Sequence, residues 1–180
     1  MGAQTDSARK VIETFDRQFA RLHSRSCLLV SRIAIELVYL NPQTPARYST
    51  GENLLRSAAA IEQTFGGITA NLWDDPFEWT LPENLATTER LLEYLEEVEA
   101  TRRRAFARFE QDVDLLKEVQ VPTGKTKPLL DLLAETLVKA ADYHGRAIAT
   151  LAILGGDRAV DRKDSSMNSR FDLTQNDSQQ

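Results

Sequence analysis

Apolar residues recur at steps of three, four and seven along most of the chain, and no stretch alternates long enough to make a convincing strand. This period limits the fold more than any other feature. A chain with only helical stripes to bury must pack helix on helix. Four long helices are predicted. The first runs from about Ser7 to Leu40, with Val11, Phe15, Leu22, Leu29, Ile33 and Leu40 on one stripe. Asp6 or Ser7 can cap it, and Asn41-Pro42 stops it. At ~1.5 Å per residue it would be ~50 Å long, so a bend is expected. The second opens at Ser49-Thr50-Gly51-Glu52, which has capping-box spacing, and carries Leu54, Ala58, Ile61, Phe65 and Ile68. Gly66-Gly67 weakens its end.

The third helix is predicted from about Glu83 to Val119, with Leu85, Leu92, Leu95, Val98, Phe106, Phe109, Val113 and Leu116 inward. The fourth runs from about Pro128, tolerated early in a helix, to Leu154, where Gly155-Gly156 is a stop signal. Residues 1–156 are thus expected to form one all-α domain, a four-helix bundle. The polar tail, 157–180, is expected to be disordered. Up-down-up-down is the simplest topology for the loops, with a crossover through Trp73–Pro82 as the alternative.

Charge and composition narrow the function. A net charge of −5 disfavours non-specific binding to nucleic acid or anionic lipid. Arg102-Arg103-Arg104 are consecutive helix positions, so they point in different directions and form no basic patch. One cysteine, Cys27, excludes a disulfide framework and a multi-cysteine zinc site. The first ten residues are polar, and no apolar run approaches the roughly 18 to 20 residues that span a bilayer. A soluble, cytoplasmic protein is expected, with no nucleic-acid or membrane partner. The chain also lacks a Walker-type loop, a Gly-x-Ser-x-Gly elbow, a His-Glu-x-x-His motif and the Glu-x-x-His pairs of di-iron bundles.

Three segments resemble the DinB/YfiT superfamily of bacterial four-helix proteins. They are Ser49 to Ala58 opening helix 2, Leu91 to Val98 in helix 3, and Leu132 to Ala147 with the following Leu154-Gly155 in helix 4. The resemblance spans about Phe15 to Gly156. Metal-binding members hold a divalent ion with three histidines, one from helix 2 and two from helix 4. Some are transferases or isomerases that use bacillithiol, mycothiol or glutathione. Here His144 matches the last histidine, Ala140 stands at the preceding ligand position, and Ser57, or Arg56 if the alignment slips by one, at the helix-2 position. Two of the three ligands implied by the resemblance are therefore missing, and one imidazole does not hold a catalytic divalent ion unaided.

Several residues are candidates for a site. His144 could be a residual ligand or acid–base group beside Asp142, Tyr143 and Glu62, or a histidine hydrogen-bonded across the bundle. Arg102, on or beside the helix-3 stripe, could clamp an anion in a cavity, or pair internally with Glu36 or Glu62. Trp73, Phe77 and Trp79 could form a partner surface or cover the bundle end. His23 reads as a boundary residue and Cys27 as a structural thiol. Three functions follow. The first is a DinB-like homodimer without the full triad that is non-catalytic or binds a small ligand. The second is a transferase dependent on a thiol cofactor, or a hydrolase dependent on Zn, Ni, Mn or Fe, with substituted ligands. The third is an adaptor that presents the tryptophan loop.

Overall fold

The structure is a computed structural model that describes residues 8–42, 48–76 and 82–155. The expected caps Asp6 and Ser7, the loop residues Phe77 and Trp79, and the tail 157–180 lie outside these residues. The described chain is mostly helical, as the apolar period predicts. Four long helices, α1 (Lys10–Arg32), α3 (Thr50–Ala70), α4 (Thr88–Phe106) and α5 (Leu129–Ile153), pack around one core. A one-turn helix, α2 (Ile35–Val38), follows α1. No helix among the described residues is long and apolar enough to cross a membrane.

Each long helix packs on two others: α1 and α3 both lie against α4 and α5. The pairs α1/α3 and α4/α5 therefore sit across the diagonals. Two layers of the core give the directions. In one layer Phe19, Phe65 and Phe106 stack with ring centroids 5.4 to 6.0 Å apart. In this layer too, Thr64 bonds Thr136. In the other, Ser26, Ser57, Leu95 and Val98 line one small cavity, and His144 bonds Ser26. From the first layer to the second, residue numbers rise in α1 and α5 and fall in α3 and α4. The order is up-down-down-up rather than up-down-up-down. The chain needs a crossover between the parallel neighbours α3 and α4, and the segment after Ala70, through Trp73, supplies it.

Three expectations need correction. The first helix does not reach Leu40. Ile33 and Ala34 are extended, with ψ of 142° and 133°. This break turns the chain over the start of α3, where Val38 is buried. A Cβ at Gly51 would meet Val38 Cγ1 at 2.7 Å, so the approach requires glycine. The buried stripe of α1 is Ile12, Phe19, Leu22, Ser26 and Val30, whereas Val11 and Leu40 are exposed.

The third helix also stops early, at Phe106, with a 3-10 turn at Pro82–Leu85 before it and another at Asp112–Leu116 after it. Asp112 is drawn back to α1, where its carboxylate accepts from Val11 N and Ile12 N at 3.0 to 3.1 Å. Arg9 Nη1 donates to Phe109 O at 2.8 Å. The Asp112 bonds satisfy two orphan backbone donors at the start of α1, Val11 N and Ile12 N, from about 100 residues away. Leu115 fills the core, while Val113 and Leu116 face solvent. Finally, the loop at 120–127 forms a small antiparallel hairpin, β1 (Glu118–Gln120) with β2 (Thr126–Pro128), turning at Gly124 with φ +75°. The predicted start of α3 matches: Ser49 and Glu52 form both bonds of the capping box.

Candidate functional site

The small residues of α3 and α5 let these two helices approach closely, and the seam between them brings together the positions singled out by the family resemblance. Ser57, Ala140 and His144 are all buried. Ser57 Oγ donates to Ala140 O at 2.8 Å. His144 Nδ1 shares a hydrogen bond of 3.1 Å with Ser26 Oγ of α1. Further along the seam, Thr64 and Thr136 hydroxyls lie 2.7 Å apart, and Thr136 also donates to Leu132 O. Burial lowers the His144 pKa from its ordinary 6.5, and the charge of Arg25 lowers it further, so the ring is neutral near pH 7.

This seam does not fit the divalent metal that the resemblance implies. Ala140 has no donor, the Ser57 hydroxyl is spent on a backbone carbonyl, and one His144 nitrogen is engaged by Ser26. The void beside it holds only about 20 Å³, room for a single water and not for a substrate. Glu62 and Tyr143, offered as neighbours of His144, are engaged elsewhere. Tyr94 Oη donates to Glu62 at 2.7 Å, and the Arg146 guanidinium lies 5.4 Å from the Tyr143 ring centroid. Asp142 forms an exposed ion pair with the same Arg146.

The α1–α4 face is chemically different. Arg102 is fully buried, and its partners are Glu99 and Asp16 rather than Glu36 or Glu62. Its Nε and Nη2 donate to the two Glu99 oxygens at 2.7 Å each, and Nη1 donates to Asp16 at 2.5 Å. Burial pulls its pKa down, but the bonds and charges of the two carboxylates outweigh that and hold it above its ordinary value. Three of the five guanidinium N–H groups are held by these two carboxylates, and Glu99 occupies the Nε–Nη2 fork.

Beside it, His23, Cys27 and Glu96 form a group that sequence reading missed. His23 and Cys27 are one turn apart on α1, and Glu96 reaches them from α4. His23 Nε2 lies 3.2 Å from Glu96 Oε1 and 3.6 Å from Cys27 Sγ. The three donor atoms all fall within 4.8 Å of one another. Burial pushes the Cys27 thiol up to about 11, with Glu96 and Glu99 adding to the effect. The one signal in the sequence was the His-x-x-x-Cys spacing, which sets two ligating side chains on one helix face.

At the crossover, Trp73 packs flat on α3. A Cβ at Gly67 would fall on its indole, its carbonyl accepts from Gln63 at 2.8 Å, and its Nε1 donates to Asn71 at 3.0 Å. Trp73 thus covers the end of α3. Beside it, between α3 and α4, a cavity of about 500 Å³ is lined by Glu62, Gln63, Gly66, Thr69, Leu72 and Thr101. That volume falls in the range of small-molecule sites. No family model matches the chain, nor does any curated protein or solved structure.

Proposed function

We propose that the chain is a DinB-like four-helix bundle whose interior metal site has become packing, and that it acts in the cytoplasm by binding a small ligand without catalysing its conversion. The observation that carries this reading is the fate of Ser57, Ala140 and His144. They meet as the family's ligand positions would, yet Ala140 offers no side-chain donor, the Ser57 hydroxyl is bonded to the Ala140 carbonyl and one His144 nitrogen is bonded to Ser26. A site with no free ligand set and room for one water supports binding elsewhere, and the α3–α4 cavity is the concavity of suitable size. A homodimer, which sedimentation of the full chain would detect, belongs to the same proposal.

Native mass spectrometry of untagged protein tests it. A small molecule should be retained by the wild type and lost in Ala70→Trp, which places a bulky ring at the exposed rim of the cavity. His144→Gln should leave both that molecule and the metal content unchanged. Metal that disappears with His144→Gln alone would overturn the proposal and restore the transferase reading.

A further inference from the structure

We propose that His23, Cys27 and Glu96 form a zinc site on the α1–α4 face, with three protein ligands and one open position. The donor set is the first argument. Imidazole nitrogen, thiolate sulfur and carboxylate oxygen are the three ligand types that zinc takes, and three protein ligands plus water is the arrangement of its open sites. Geometry is the second. Zinc bonds of ~2.0 to 2.3 Å in a tetrahedron set the nitrogen–oxygen edge at about 3.3 Å and the nitrogen–sulfur edge at about 3.6 Å. The corresponding distances from His23 Nε2 are 3.2 Å to Glu96 Oε1 and 3.6 Å to Cys27 Sγ. Cys27 Sγ also lies 3.8 Å from His23 Nδ1, so the sulfur sits against the ring rather than along the Nε2 lone pair, and the imidazole and the thiol must rotate to aim at a common ion.

Charge and access complete the case. Glu99, one turn from Glu96, is held bidentately by Arg102, so it does not compete as a ligand. Glu96 is 67 % exposed and His23 16 %, so the fourth position opens toward solvent while the imidazole is fixed by packing. On ligation Cys27 releases its proton to solvent and binds as thiolate. Water then fills the open position, and an incoming thiolate or carboxylate could replace it.

The test is calorimetric titration of untagged full-length protein with zinc chloride, with cobalt(II) as an optical probe. One zinc per chain is expected. Cys27→Ser and His23→Gln should each weaken binding by about a hundredfold or more, Glu96→Gln by at least about tenfold, and His144→Gln not at all. Cobalt should give a thiolate-to-metal charge-transfer band in the wild type and none in Cys27→Ser. Failure of the wild type to take up zinc, or zinc uptake that survives Cys27→Ser, overturns the proposal. So does a cobalt complex of the wild type without the charge-transfer band, a readout that needs no variant to fold. Because His144→Gln is silent here and decisive for the interior seam, the two proposals fail separately.

Discussion

His23 lines a small void together with Ser26, the residue that bonds His144, yet the surroundings of the two histidines differ in kind. His144, on the α3–α5 seam, has hydroxyls, a backbone carbonyl and alanines around it, and it is sealed from solvent. His23, on the α1–α4 face, has a thiol and a carboxylate, with Arg102, Glu99 and Asp16 beside it. The first environment suits a neutral ring that never changes state. The second suits an ion. The contrast teaches that a ligating residue type says little until its neighbours are known. The histidine singled out by resemblance is the inert one, and the histidine that no resemblance singled out has a thiol and a carboxylate beside it.

The largest break in this comparison should come from Arg102→Met. It removes the cation that neutralises Glu99, itself only 11 % exposed, and strands a largely buried charge. A stability loss of about 3 kcal/mol is expected in urea denaturation. A loss below about 1 kcal/mol would mean the pair behaves like a surface ion pair, and the charged character assigned to this face would be wrong.

Ala140→Leu asks the matching question of the seam. Ala140 is fully buried, and Ser57 leans on its carbonyl, so a larger side chain must push α3 from α5. Overpacking of this kind should cost about 2 kcal/mol. Zinc titration of the same variant should be unchanged, because the seam and the α1–α4 face share no ligand. If Ala140→Leu were neutral, the seam would have slack, and the argument that it has no room for a cofactor would weaken.

Local signals explain which parts of this molecule could be read from sequence. The capping box at Ser49 and Glu52 is a short-range motif, and it forms with both bonds in place. The apolar stripe of α3 is equally local, and Leu54, Ala58, Ile61 and Phe65 are all buried. The breaks at Ile33 and after Phe106 have no proline or glycine to announce them. They exist because Val38 must reach Gly51 and because Asp112 must reach the start of α1. Val113 and Leu116 continue the helical period and still point outward, since the 3-10 turn rotates Leu115 inward instead. The candidate zinc site was half visible. His23 and Cys27 share a face at i, i+4, but Glu96 comes from another helix, and only the packing of α1 on α4 makes it a neighbour.

The smallest effect is the most specific to His144. Its pKa is lower in the folded protein than the ordinary 6.5, chiefly through burial. Below pH 6.5 the unfolded chain therefore takes up a proton that the folded chain resists, and stability falls with pH. The contribution is present above that value, is lost as pH drops through the window down to the folded pKa, and then levels off. His144→Gln keeps a polar side chain of similar reach but cannot titrate, so its stability should be flatter than the wild type between about pH 7.5 and 5.5. Denaturation midpoints of the two proteins across that range, measured without metal, isolate the effect from the α1–α4 face. Parallel curves would show that His144 is hydrated in the folded state, which would reopen the seam as a site. Converging curves, with the wild type losing its advantage as pH falls, would show that the ring is held neutral by burial, as a packing residue is and a working acid–base group is not.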